Sequence, residues 1–168
     1  MGVATQISLE QYLRHPTEPE SEYIKGEIFQ KALGTKLHGR LQGRLIRLLF
    51  RWEELGLGVT IPEQSLLLSA DVILIPDVCV LTADNVEVGV VTQPPLLCIE
   101  ILSPSDRFAY TARKCKQYLD WGGPTCWILD PEAREAWVSD SAGLHPVAEG
   151  GALEAGFILL GIDEVFAK

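Results

Sequence analysis

Two carboxylates fall where the chain is most hydrophobic. Glu100 lies in the apolar run LCIEIL, and Asp77 lies in VILIPDVCVL, twenty-three positions earlier. An ionised carboxylate in a protein interior must be paired, protonated or bound to a cation, because burying it alone is costly. A hard divalent cation such as Mg²⁺ or Mn²⁺ relieves the repulsion between two such groups and prefers oxygen ligands. We therefore predict a metal site on Asp77 and Glu100, with the main-chain carbonyl of Ile101 as a third oxygen.

A structural role is the alternative for both carboxylates. Each could cap a turn or pair with a nearby arginine such as Arg107, and a single buried acid is often explained in this way. Two acids in similar apolar runs favour the metal site, but the residue types alone leave both interpretations open.

The elements that must position these acids follow from hydrophobic spacing. Leucines recurring at three- and four-residue intervals predict a helix over 35–55. Three apolar runs predict strands over 59–68, 72–81 and 96–102. An amphipathic pattern predicts a second helix over 106–121, followed by a strand, a turn at Asp130-Pro131 and another strand. This order predicts a mixed α/β domain with helices packed on a central sheet.

The ends of the chain carry weaker signals. Ser8 is a suitable N-cap for a short helix over 9–14, and Lys25-Gly26 predicts the turn of a small hairpin. The segment 150–168 has scattered apolar residues and is expected to cover an edge of the sheet.

Length and composition predict a single globular domain over 1–168. The chain has 168 residues, of which 47% are hydrophobic and 22% charged, enough for one core. It contains no apolar run long enough to span a membrane, and its first residues lack the basic and apolar regions typical of a secretory leader, so we expect a cytoplasmic protein. The four cysteines form no CxxC pair, which argues against structural zinc and predicts free buried thiols. They are Cys79, Cys98, Cys115 and Cys126.

Charge is unevenly distributed along the chain. The net charge of −9 counts against non-specific nucleic-acid binding over the whole surface. Six basic residues and no acidic one fall between Lys31 and Arg51, however. Five of them form a stripe on the predicted first long helix, which is either a set of phosphate contacts or a solvated face. The stripe consists of Lys36, Arg40, Arg44, Arg47 and Arg51.

The ordered motifs resemble a known family. An Asp after Pro in one strand and a Glu in the next, within a helix–three strands–helix–strand order, resemble the PD-(D/E)xK nuclease superfamily. More narrowly, YIKGE, IPDVCV, CIEILSPSDR, KCKQYLDWG and CWILDP together resemble the bacterial Uma-type family of restriction-endonuclease-like proteins, over about 23–131. The resemblance implies a restriction-endonuclease-like fold with an αβββαβ core over about 23–138. It also implies a central mixed sheet flanked by helices and an N-terminal helix and hairpin.

The resemblance also assigns site residues. Leu102 stands where the superfamily has its lysine, and Lys114, spaced K-x-x-x-Y from Tyr118, takes its place. Helical spacing puts Lys114 only at the margin of the apolar face, where it could equally be solvated. Glu27 is expected near the metal as an accessory group, although the composition of this segment alone suggests a surface residue of the hairpin. His38 is a weaker catalytic candidate that could be a core histidine, and Glu63 is weaker still.

The implied activity is Mg²⁺- or Mn²⁺-dependent hydrolysis of phosphodiester bonds in nucleic acid, most simply DNA. Restriction-type nucleases often act as homodimers, so a homodimer is expected on the same ground. Two alternatives stay open. One is a catalytically degenerate nuclease fold with a binding or assembly role, and the other is a metal-dependent enzyme that acts on another phosphoester.

Overall fold

The computed structural model describes residues 6–15, 21–31 and 34–167. The helices are α1 (Leu9–Arg14), α2 (Lys36–Glu54), α3 (Phe108–Trp121) and α4 (Ile162–Val165). The strands are β1 (Ser21–Ile24), β2 (Glu27–Gln30), β3 (Val59–Pro62), β4 (Leu66–Ser69), β5 (Val72–Leu74), β6 (Val78–Leu81), β7 (Leu97–Ile101), β8 (Cys126–Asp130), β9 (Glu135–Asp140), β10 (Gly143–Pro146), β11 (Ala152–Ala155) and β12 (Ile158–Gly161).

A six-stranded sheet forms the centre of the molecule. Its strand order is β10-β9-β8-β7-β6-β3, and only β7 and β8 pair in parallel. A parallel pair needs a crossover connection, and α3 supplies it. Helix α2 packs on one face through Leu41, Leu45 and Leu49, while Cys115 and Tyr118 of α3 pack on the other. The predicted mixed α/β architecture, with helices on a central sheet, is confirmed.

Two of the predicted strands are each divided between two sheets. The run 59–68 breaks at Glu63, which has φ 50°, and continues as β4 in a second sheet. The run 72–81 breaks at Ile75-Pro76-Asp77, since a proline has no N–H to give to a strand ladder. The second sheet has the order β2-β1-β5-β4. Asp77 therefore lies just before β6, at the point where the chain passes from one sheet to the other.

The N-terminal elements follow the predicted pattern. Ser8 caps α1, and its hydroxyl accepts a hydrogen bond from the Gln11 N–H. The turn between β1 and β2 has φ 51° at Lys25 and 90° at Gly26, which are the positive values that a two-residue hairpin turn requires. Strand β1 has a hydrogen-bonded neighbour on each edge, because it pairs with β2 and with β5.

The C-terminal segment packs on a sheet face. Strands β11 and β12 form a separate two-stranded hairpin. Its residues Leu153 and Leu160 are buried in the same core as α2, together with Val165 of α4. The expectation that this segment covers an edge is therefore wrong, since its alternating apolar residues fill the space beside α2.

All four cysteines are buried and free, as predicted. They lie in the core layer between the central sheet and α3. In the described ranges, none of the helices is both long and apolar enough to cross a membrane.

Candidate active site

Asp77 and Glu100 lie next to each other at one end of the central sheet. Val78 and Ile99 are paired in register between β6 and β7, and the two acids are one step further along. Residues directly opposite in an antiparallel pair place their side chains on the same face, with Cβ atoms about 5 Å apart. Both acids line one cleft of about 390 Å³. The structure thus brings the two predicted acids together.

Asp77 is held by groups from three different segments of the chain. Its Oδ1 accepts a hydrogen bond from the Lys31 ammonium at 2.7 Å, and its Oδ2 accepts one from the Ile101 N–H at 2.7 Å. The Nε2 atom of His38 lies 3.3 Å from Oδ2. Burial alone would raise the pKa of Asp77, but His38 and Lys31 together hold it well below its usual range. Asp77 is therefore ionised at neutral pH.

Glu100 lies deeper and is held by α3. The Lys114 ammonium lies 2.9 Å from each of its carboxylate oxygens, and the Tyr118 hydroxyl donates to Oε1 at 2.8 Å. Burial raises the pKa of Glu100 to about 7, against the opposing charge of Lys114, and the nearby Asp77 carboxylate adds to the rise. The two predicted ligands therefore have pKa values shifted in opposite directions, a pattern common at functional sites.

Lys114 is buried in the middle of the inward face of α3. The buried residues of that helix are Thr111, Lys114, Cys115 and Tyr118. The interpretation of Lys114 as a solvated helix charge is wrong, because its ammonium lies 2.6 Å from Glu22 Oε1 and 2.9 Å from Glu100 Oε1. Burial would lower the pKa of Lys114, but the two carboxylates raise it well above its usual range. Lys114 is thus a permanently charged ammonium between two acids.

The carboxylate that the hairpin supplies to the site is Glu22 of β1. Glu22 is buried and also accepts a hydrogen bond from the Ile75 N–H at 3.2 Å. The predicted accessory residue Glu27 is exposed, pairs with Ile24 across the turn and does not line the cleft. The structure therefore does not bring Glu27 to the site. Glu22 is buried because β1 lies between two neighbouring strands. The sequence alone carries no signal for that position, and so it did not indicate Glu22.

His38 and its neighbours form the wall contributed by α2. His38 lies in the first turn of α2, where its contact with Asp77 and that acid's charge raise its pKa above 6.5. Gln42, one turn later, donates to the Asp77 main-chain carbonyl at 2.9 Å. Glu63 also lines the cleft, with one carboxylate oxygen 3.5 Å from the Gln42 amide nitrogen. His38 is thus a partner of Asp77, whereas Glu63 stays at the rim.

The basic stripe lies away from the cleft. None of its five members lines the cavity that contains Asp77. Arg44 donates to the main-chain carbonyls of Val165 and Ala167, and Arg51 donates to Glu164 at 3.0 Å. The guanidinium groups of Arg44 and Arg51 thus hold the C-terminal segment, and phosphate contacts by the stripe stay a prediction. Lys36, Arg40 and Arg47 stay exposed on the far side of α2.

The donor set at the cleft fits a hard divalent cation with few protein ligands. No three His, Cys, Asp or Glu side chains within the described residues are grouped closely enough to hold a metal ion. Mg²⁺, however, is commonly bound by one or two carboxylates and keeps several waters. A carboxylate also has more lone pairs than the hydrogen bonds found here use. Asp77 and Glu100, which repel each other across one cleft, match that requirement.

Comparison with solved structures assigns the fold. The chain resembles a structure described as "a putative nuclease belonging to DUF820" from Anabaena variabilis ATCC 29413, with a TM-score of 0.86 and 22% sequence identity. The alignment covers 96% of this chain and 98% of that one. At this identity the likeness shows the fold alone. The central mixed sheet between α2 and α3 is thus a restriction-endonuclease-like fold.

Comparison with protein families assigns the family. The Uma2 family, described as "Putative restriction endonuclease", matches residues 9–152. The chain therefore belongs to this family, in agreement with the resemblance of its motifs. No curated protein matches the sequence.

Proposed function

We propose that this protein is a metal-dependent nuclease that hydrolyses phosphodiester bonds, with DNA as substrate, and that Asp77, Glu100 and Lys114 form its active site. The observation that carries this proposal is the juxtaposition of Asp77 and Glu100 in one cleft, with the Lys114 ammonium 2.9 Å from Glu100. The family description and the description of the structural neighbour support a nuclease.

Asp77, Glu100 and the main-chain carbonyl of Ile101 would hold the divalent cation, either Mg²⁺ or Mn²⁺. When bound, such an ion polarises a phosphate and lowers the pKa of a coordinated water. Ile101 lines the cleft, and its N–H already fixes one oxygen of Asp77.

The remaining site residues prepare these groups for catalysis. Lys114 brings a fixed positive charge to the cleft, where it would stabilise negative charge developing on a phosphate. Glu22 and Glu100 hold that ammonium in place. Lys31 and His38 keep Asp77 ionised, and the Tyr118 hydroxyl orients Glu100. The acids are thus in place before any substrate arrives, as preorganised catalysis requires.

A binding role without catalysis is the second candidate. The observation that favours it is that each acid is already paired with a lysine, Asp77 with Lys31 and Glu100 with Lys114. In such a protein the charges would be a structural network, and divalent cations would have no effect on its function.

A cleavage assay separates the two candidates. Purified protein is incubated with plasmid, single-stranded DNA and RNA, with Mg²⁺, Mn²⁺ or a chelator. We expect divalent-dependent cleavage that Asp77→Asn and Glu100→Gln abolish. Asp84→Asn is the matched control, because Asp84 is exposed and does not line the cleft. Isothermal calorimetry should show Mg²⁺ binding to the wild type and to the control, and none to the site variants.

Two outcomes would refute the nuclease. Cleavage that persists in Asp77→Asn would indicate a contaminating enzyme or another site. An absence of divalent-cation binding to the wild type would exclude the metal-dependent mechanism and favour the binding role. Sedimentation of the same samples tests the expected homodimer, which is a separate prediction.

A further inference from the structure

Two aromatic rings line the cleft beside the proposed active site, and neither is buried. Phe29 of β2 is 37% exposed and Tyr110 of α3 is 38% exposed. Both belong to the lining of the cleft that holds Asp77 and Glu100. Aromatic surface left open inside a concave site is available to a ligand, since covering it removes apolar area from water.

Both rings flank the carboxylate that holds the catalytic lysine. Phe29 is the register partner of Glu22 across the hairpin, so the two side chains share a face. Burial and the charge of the nearby Glu22 carboxylate raise the pKa of the Tyr110 hydroxyl. Glu22 lies 2.6 Å from the Lys114 ammonium. A planar group resting on either ring would therefore lie next to the proposed chemistry.

The charge of the cleft does not favour a duplex. Among the described lining residues, five are carboxylates, namely Glu22, Glu63, Asp77, Glu100 and Asp106. The two lining lysines, Lys31 and Lys114, are already paired with acids. Affinity for duplex DNA depends largely on neutralising backbone phosphates, whereas single strands gain much of theirs by stacking bases on aromatic rings.

The size of the cleft also agrees with a single strand rather than a duplex. Its volume of about 390 Å³ lies in the range of sites that enclose a small ligand, about 300–1,000 Å³. A paired base offers no free face to a protein ring until it leaves the stack. An unpaired nucleotide offers both a face and a phosphate.

We infer, building on the proposed nuclease function, that the cleft takes an unpaired nucleic-acid strand and that bases beside the scissile phosphate stack on Phe29 and Tyr110. The substrate class is then single-stranded nucleic acid or a frayed strand end. The stacking chemistry is shared by DNA and RNA, so both are tested.

Fluorescence anisotropy on the full chain tests this inference, with chelator present to prevent cleavage. The probes are a short labelled DNA strand, its RNA counterpart, the same DNA strand without bases, and the duplex. We expect tighter binding of the single strands than of the duplex and of the abasic strand. Phe29→Ala and Tyr110→Ala should each weaken single-strand binding by roughly 5- to 150-fold and leave abasic binding unchanged. Phe29→Trp and Tyr110→Phe should bind like the wild type.

Phe50→Ala is the matched control, because Phe50 is 48% exposed on α2 and does not line the cleft. A preference for duplex, or an equal loss of affinity for normal and abasic strands in the alanine variants, would overturn the inference. If the enzyme cuts duplex DNA and Phe29→Ala leaves cutting unchanged, the nuclease function stands and this inference alone fails. If neither binding nor cleavage occurs with any probe, both fail.

Discussion

The hydroxyl of Tyr118 gives a quantitative test of the buried charge network. It donates to Glu100 Oε1 at 2.8 Å, in a position without solvent exposure. Tyr118→Phe removes this donor and keeps the ring. A hydrogen bond to a charged group contributes about 1.5–3 kcal/mol to stability, and one between neutral groups about 0.5–1.5 kcal/mol. The cost of the substitution therefore depends on whether Glu100 is ionised.

The pH dependence follows from the pKa of Glu100, which burial raises to about 7. At a pH well above that value Glu100 is charged, and Tyr118→Phe should lower the free energy of unfolding by about 1.5–3 kcal/mol. At a pH well below it Glu100 is protonated, and the loss should fall to about 0.5–1.5 kcal/mol. The variant should also show a still higher pKa for Glu100, because a donor to the charged form is lost.

Urea unfolding at pH 5.5 and pH 8.5, roughly 1.5 units either side of that pKa, measures both costs for wild type and variant. Tyr23→Phe is the matched control, because the Tyr23 hydroxyl donates at 3.0 Å to the Ile7 carbonyl, which does not titrate. Its cost should be about 0.5–1.5 kcal/mol at both values of pH. In a Glu100→Gln background the pH dependence of Tyr118→Phe should disappear. A cost for Tyr118→Phe that is the same at both values of pH would refute the assignment of a titrating Glu100 beneath that hydroxyl.

Three further predictions concern the other charged groups. Lys114→Met should abolish cleavage and destabilise the fold by about 3–5 kcal/mol, as loss of one partner of a buried ion pair does. The control Lys116→Met removes a lysine from an exposed pair with Asp120 and should change stability by less than about 1 kcal/mol. Urea unfolding measures the stability of both variants. Folding depresses the pKa of Asp77, so its charge contributes stability that is present at pH values above its ordinary pKa of 3.8 and is lost as the pH falls further. In a thermal-melt series, Asp77→Asn should therefore lose less stability on acidification than the wild type does. Arg44→Ala should destabilise by about 0.5–1.5 kcal/mol, since it removes a part-buried hydrogen bond to the Val165 carbonyl. Arg47→Ala should stay within about 0.5 kcal/mol, and equal effects in calorimetry would contradict the placement of Arg44.

The elements that were predictable from the sequence are those with strong local periodicity. The helix over 35–55 was expected from its leucine spacing and is found as α2 within one residue at each end. The parallel strands β7 and β8 are hydrophobic on both faces, and each was visible as an apolar run. Helix geometry alone left Lys114 undecided, and the family resemblance selected it.

The parts that were missed depend on contacts between distant segments. Glu22 was overlooked because its burial depends on β5 packing beside β1, which no local pattern specifies. The contacts of Arg44 and Arg51 with residues 159–167 were not expected, because they join positions more than a hundred residues apart, such as Arg51 and Glu164. The sequence predicts each divided strand as one continuous strand because apolar residues lie on both sides of each break. The sequence therefore predicted the framework better than the partners of its charges.

The position of the proposed active site between the two sheets has a consequence for how the activity arises during folding. Glu22 comes from the four-stranded sheet, Glu100 from the six-stranded one and Lys114 from the crossover helix. Glu22 and Lys114 are far apart in sequence, and such contacts form late because the long loop between them must close first. A partly folded chain therefore lacks the complete site, and the proposed activity would arise only once the two sheets have docked.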